Sequence, residues 1–110
     1  MHSKISVVVP LYNEEKSAAL LHKEVLSALK NLGLPFEIIF VDDGSKDNTF
    51  EEIKKLSPLI AIRLSRNYGQ TPALAAGLEK ATGDIIITLD GDLENDPADI
   101  PKLLKKLDEG

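Results

Sequence analysis

The sequence predicts an α/β fold: a parallel sheet of four strands in the order 3-2-1-4, with helices on both faces. Three observations carry that expectation. Apolar, β-branched runs alternate four times with amphipathic runs. The segments 38–41 and 85–87 are apolar without alternation, as strands buried on both faces are. Right-handed crossovers between parallel strands leave few orders open, and 3-2-1-4 is the expected one.

The elements follow in turn. The first strand is expected at 5–9, where Ile5, Val7, Val8 and Val9 favour extended backbone. Ala18, Leu21, Val25, Leu29 and Leu32 then recur at helical spacing. Asn13 is placed to cap that helix, Glu14 and Glu15 to lie in its first turn, and Gly33 to stop it. His22 is expected on the solvated face of this helix and His2 in the terminal segment, neither with a functional role. The second strand, 36–41, runs into Asp42-Asp43-Gly44-Ser45. A helix over 48–56 ends before Pro58, and the third strand covers 60–64. The third helix has Thr71 as cap, Pro72 at its first position and Gly83 past its end. Gly77 inside it costs up to about 1 kcal/mol against alanine, and close packing on the sheet is the simplest reason for it. The fourth strand, 84–89, ends at Asp90-Gly91-Asp92. A last helix, capped by Asp96 or Asp99, runs to Glu109.

Composition narrows the function. The chain has 110 residues, one domain's worth, and 43% of them are apolar. With 13 Lys plus Arg against 18 Asp plus Glu, the net charge is −5, which argues against a nucleic-acid or anionic-membrane binder. Without cysteine there is no disulfide, thiolate zinc site or cysteine nucleophile. No apolar run approaches the roughly 20 residues that cross a bilayer, and the N-terminal segment lacks the pattern of a secretory signal. Neither a Gly-x-Gly-x-x-Gly after the first strand nor a P-loop is present.

The acids are unevenly spread. Asp42 and Asp43 directly follow the second strand, and Asp90, Asp92 and Glu94 directly follow the fourth. In a parallel sheet both groups fall at the carboxyl edge, where such sheets bind ligands. Clustered carboxylates repel one another, and a hard divalent cation shared with substrate phosphates relieves that repulsion. Asp90 and Asp92, two apart in an extended turn, point the same way and suit a metal–diphosphate unit. The plainer reading, in which these acids cap a helix and solvate a loop, suits Asp84, Asp96 and Asp99 better.

Four motifs, in order, resemble a known family: Val-Val-Val-Pro-Leu-Tyr-Asn-Glu-Glu at 7–15, Val-Asp-Asp-Gly-Ser-Lys-Asp-Asn-Thr at 41–49, Arg-Asn-Tyr-Gly-Gln at 66–70 and Thr-Leu-Asp-Gly-Asp-Leu at 88–93. Together they resemble the inverting glycosyltransferases of family two, whose GT-A fold is Rossmann-like. Within these they look most like the polyprenyl-phosphate (dolichyl- or undecaprenyl-phosphate) sugar transferases. The resemblance implies a UDP- or GDP-sugar donor, a polyprenyl-phosphate acceptor and Mg²⁺ or Mn²⁺. It implies that Pro10, Tyr12 and Glu14 line the base and ribose, and that the Asp42–Asp43 pair reads the base, with Asp43 in contact and Asp42 holding the loop. Asp90, Gly91 and Asp92 would meet ribose and diphosphate, with Asp90 and Asp92 as catalytic residues. Asp90, Asp92 and Glu94 would hold the metal, Glu94 standing where the family commonly has Gln. Arg66 would reach the diphosphate.

The family's catalytic domain is longer than this chain. Residues 1–110 are therefore expected to be its single N-terminal, nucleotide-sugar-binding portion, with turnover only in the complete protein. A cytoplasmic location follows from the family's use of cytosolic nucleotide sugars, with the complete protein at the cytoplasmic face of a membrane. The fourth strand, 84–89, is expected as an exposed apolar edge that pairs two copies of the chain. The competing reading is a folded, non-catalytic interaction or structural module. A haloacid-dehalogenase-type phosphohydrolase also places Asp-x-Asp after an apolar strand, but its later motifs need far more chain than follows Leu93.

Overall fold

The structure is a computed structural model and describes residues 3–89. Strands β1 (Ile5–Leu11), β2 (Phe36–Asp42), β3 (Ile60–Arg63) and β4 (Ile85–Thr88) alternate with helices α1 (Ala18–Lys30), α2 (Thr49–Ile53) and α3 (Gln70–Lys80). The strands form one sheet in the order β3-β2-β1-β4, every pair parallel, as the crossover rule requires. The expected final helix, with Asp96 and Asp99, lies outside the described residues.

The two faces of the sheet carry separate cores. Ile5, Val7, Val9, Leu11, Ile38 and Phe40 face α1 and α2, and meet Leu21, Val25, Leu29 and Ile53. Val8, Ile39 and Val41 face α3 and meet Ala73. Alternate residues of one strand therefore serve opposite cores, which is why β1 and β2 are apolar without alternation. Gly77 lets α3 lie against β1 and β2, because a Cβ there would overlap the side chain of Val8 and crowd that of Val41.

Several local expectations change. His22 is buried, not solvated: its Nε2 lies 2.9 Å from the Pro58 carbonyl oxygen, and its ring meets Phe40 edge-to-face at 6.0 Å. Position 22 follows Ala18 by four and precedes Val25 by three, so it shares their face. Asn13 does not cap α1. It takes a left-handed φ of 54° and spends its side chain across the loops, while α1 starts after Ser17. Thr71 is likewise inside α3, whose N-cap is Gly69 at φ 106°. α2 is shorter than the 48–56 pattern suggested.

A polar network ties the amino end of the sheet. The Glu37 carboxylate accepts from the Ser6 hydroxyl at 2.6 Å and from the Thr82 amide at 2.7 Å, with Lys4 Nζ at 3.5 Å. Ser6 Oγ in turn accepts from the Gly83 amide at 2.8 Å. Gly83 serves close approach rather than helix capping: a Cβ there would press on Ser6 and on the Lys4 carbonyl. Burial would raise the Glu37 pKa, but the hydrogen bonds from Ser6 and Thr82, with Lys4 beside them, outweigh it and hold it below its ordinary value.

Candidate functional site

All strands point the same way, so the loops after β1, β2 and β3 gather at one edge, and β4 ends there too. Main-chain bonds carry the sheet into this edge: Asp43 N–H donates to the Leu11 carbonyl at 2.8 Å and Leu64 N–H to the Asp42 carbonyl at 2.9 Å. Leu89 N–H donates to the Val8 carbonyl at 3.1 Å.

The loops are interlocked by side chains. Asn13 N–H donates to Ser45 Oγ at 2.8 Å, and Asn13 Oδ1 accepts from Lys46 N–H at 2.9 Å. Thr49 Oγ1, fully buried, accepts from Glu14 N–H at 2.8 Å. Asp47 accepts from the Thr49 amide and hydroxyl and, at 3.4 Å, from the Glu15 amide. Burial acts to raise the Asp47 pKa, and these bonds overcome it and hold the group low. The β1 and β2 loops thus behave as one body.

The β2 and β3 loops meet at Gly44. Its φ is 66°, and a Cβ there would overlap the backbone of Arg66 and Asn67. Asp43 draws the same loops together. Its carboxylate accepts from Tyr68 N–H at 2.8 Å, Gly69 N–H at 3.0 Å and Asn67 Nδ2 at 3.2 Å. On the outer side of this loop the Arg66 guanidinium lies 4.8 Å from the centre of the Tyr68 ring, and Ser65 Oγ lies 3.1 Å from the Tyr68 phenol oxygen. The Ser65 contact and then the nearby Arg66 lower the Tyr68 pKa.

Asp42 holds its loop as expected, and Asp43 holds one too. Both Asp43 oxygens are engaged in holding the 67–69 loop. Asp42 holds the turn after β2 through one oxygen, Oδ1, which accepts from Ser45 N–H at 3.1 Å. Its other oxygen, Oδ2, is buried and has no hydrogen-bond partner. Arg63 Nε stands 4.0 Å from it, close enough to act as a counter-charge but too far for a hydrogen bond.

The remaining candidates fall as follows. Pro10 is half-buried within β1, which is longer than the expected 5–9 and extends to Leu11. Tyr12 stands exposed at the strand's end. Glu14 accepts from the Ser17 hydroxyl at 2.6 Å, so its carboxylate helps shape the turn before α1. Asp90, Gly91, Asp92 and Glu94 lie outside the described residues. Among the described residues, no three acids or histidines come together as a metal site, and Asp43, with both oxygens engaged, is poorly suited to join one. Sequence reading did not single out Ser45, Asp47, Thr49 or Asn67 as site-builders. Their signal was present as Asx- and Ser/Thr-type turn residues beside strand ends.

The parallel sheet in this order, with an acidic pair set into interlocked loops at its carboxyl edge, is an α/β fold that matches solved structures of GT-A glycosyltransferases. Residues 6–110 match the model of glycosyl transferase family 2, and the chain belongs to that family. It is 45% identical to an undecaprenyl-phosphate 4-deoxy-4-formamido-L-arabinose transferase of Pectobacterium atrosepticum, an alignment that covers 96% of this chain and 34% of that protein. The chain thus spans about a third of the length of this curated relative. Among solved structures it is similar to glucosyl-3-phosphoglycerate synthase from Mycobacterium tuberculosis in complex with Mn²⁺, UDP and glucosyl-3-phosphoglycerate, at 27% identity and a TM-score of 0.78, covering 96% of this chain and 39% of that one. It is also similar to S. aureus TarS 1–349 in complex with UDP-GlcNAc, at 29% identity and a TM-score of 0.72, covering 96% of this chain and 31% of that one.

Proposed function

We propose that this chain is the donor-binding part of an inverting glycosyltransferase. It takes a UDP- or GDP-sugar over the carboxyl edge of the sheet, and the complete protein passes the sugar to a polyprenyl phosphate. The observation that carries the reading is the carboxyl edge of the sheet, where side-chain bonds interlock the loops after β1, β2 and β3 around the Asp42–Asp43 pair. A carboxylate acceptor in that pair suits the imino N–H that uracil and guanine share and that adenine and cytosine lack. The family membership and the polyprenyl-phosphate relative support the same reading.

In this reading the Asp42–Asp43 pair reads the base, Asp42 holding the turn after β2 and Asp43 also keeping the 67–69 loop in place beside it. Pro10, Tyr12 and Glu14 border the base and ribose, and Gly91 keeps the approach to the ribose and diphosphate open. Asp90 and Asp92 serve the ribose and diphosphate and are the catalytic pair. With Glu94 they would hold Mg²⁺ or Mn²⁺, which would neutralise charge on the departing nucleoside diphosphate. The acceptor phosphate is already anionic, so its attack at the anomeric carbon, with inversion, asks little of a protein base. The complete protein works on the cytoplasmic side, where its donor is made.

Calorimetric titration with UDP, GDP and their sugar conjugates, each with Mn²⁺, with Mg²⁺ and with EDTA, tests the reading. The expected result is metal-dependent binding of one nucleotide, weakened at least tenfold, or about 1.4 kcal/mol, by Asp92→Asn. A cooperatively folded chain that binds none of them points instead to a non-catalytic structural module.

A further inference from the structure

We propose that Thr49 is a positioning residue of the donor site: with Asp47 behind it, it sets the main chain from which Tyr12 and Glu14 meet the base and ribose. The inference rests on the donor-binding reading above. Three successive amides of the loop after β1 each donate to a side chain of the loop after β2. Asn13 N–H donates to Ser45 Oγ at 2.8 Å, Glu14 N–H to Thr49 Oγ1 at 2.8 Å and Glu15 N–H to Asp47 Oδ2 at 3.4 Å. Ahead of them the Leu11 carbonyl accepts from Asp43 N–H, and behind them the Glu14 carbonyl accepts from the Ser17 and Ala18 amides. Tyr12 and Glu14 therefore stand on a segment that is held from both sides.

Thr49 is the centre of this clamp. It is fully buried and opens α2, so the fold itself sets its place. A hydroxyl has one proton to give. Thr49 gives it to Asp47 Oδ1, which also accepts from the Thr49 amide at 2.9 Å. The hydroxyl oxygen then turns a lone pair to Glu14 N–H, and its bond to a carboxylate holds it more firmly than a bond to a neutral group would. Asn13 meanwhile takes a left-handed φ of 54°, a conformation asparagine tolerates, and the flanking bonds keep it there. Thr49 touches no reacting atom and acts on the base and ribose through residues 12–14. In the donor-binding reading the diphosphate belongs to Asp90 and Asp92 instead, so the two parts of a nucleotide respond differently to a change at Thr49.

The test is calorimetric titration with UDP, with GDP and with inorganic pyrophosphate, each with Mn²⁺, of the unvaried chain, Thr49→Val, Thr49→Ser and Asp47→Asn, with thermal unfolding recorded for each. Thr49→Val keeps the shape of the side chain and removes its hydroxyl. It is expected to weaken the preferred nucleotide about tenfold while pyrophosphate changes by less than about twofold, a split that a general loosening of the fold would not produce. Thr49→Ser restores the hydroxyl and is expected to recover most of the loss. Asp47→Asn, at a half-buried position, leaves Thr49 in place and removes the charge that orients it. It is expected to weaken the nucleotide in the same direction by a smaller factor, and it carries the test if Thr49→Val does not fold. Nucleotide affinity unchanged in the folded variant, equal losses for nucleotide and pyrophosphate, or no recovery in Thr49→Ser overturns the proposal while leaving the donor-binding reading intact. Absence of nucleotide binding by the unvaried, folded chain overturns that reading and this proposal with it.

Discussion

A methyl group at position 44 has nowhere to go. Gly44 combines a left-handed backbone with main-chain contact to the loop after β3. Gly44→Ala is expected to cost about 3 kcal/mol or more, from strain and overlap together, as read from urea unfolding. At the opposite end of the sheet, Glu37 gives a pH-dependent contribution. Its pKa is depressed in the folded chain, so the stability it confers is complete well above its ordinary 4.5 and fades as the pH falls through that range and below. Glu37→Gln is expected to be less stable by about 1–2 kcal/mol at neutral pH, and to lose part of the acid-side slope of stability against pH. An unchanged slope in the variant would remove Glu37 from that account. The burial of His22 was legible in principle, since its spacing from Ala18 and Val25 is helical. Its polar ring obscured the signal, and its partner, the Pro58 carbonyl, is 36 residues away.

At the scale of elements, strand order and polarity could be read from the sequence because β-branched runs, crossover handedness and two-sided burial all point to one arrangement. The ends of the helices could not. Asn13 and Thr71 have the right chemistry for N-caps, but Asn13 is drawn into bonds with Ser45 and Lys46, and α3 starts earlier, from Gly69, whose amide binds Asp43. Long-range partners of that kind leave no trace in local spacing. The candidate site divides the same way. Its place at the carboxyl edge followed from topology, whereas the different duties of Asp42 and Asp43 emerge only from the loop contacts. Gly77 provides a check on α3. An alanine inside a helix normally gains about 1 kcal/mol over glycine, but Gly77→Ala should lose about 1–3 kcal/mol because the methyl meets Val8. A stabilised variant in thermal unfolding would mean that α3 can lift from the sheet at little cost.

For the molecule as a whole, β4 ends the sheet on one side, and among the described residues no strand pairs with its outer side. Ile86 on that strand is exposed. An apolar open edge invites strand pairing, and the chain is predicted to self-associate through it. Sedimentation equilibrium from micromolar to millimolar concentration should show a mass that rises with concentration, and Ile86→Lys should suppress the rise. A monomeric mass throughout would rule the association out.

The Glu37 network and the acidic loops sit at opposite ends of β1 and β2, each seven residues long. At about 3.3 Å per residue the two lie roughly 20 Å apart, beyond direct contact and beyond a Debye length at physiological salt. Robustness and recognition are therefore separately adjustable. Changes around Ser6, Glu37 and Thr82 are free to drift or be engineered toward greater hardiness without disturbing ligand choice, while variation in the loops after β1, β2 and β3 can retune that choice on an unaltered scaffold.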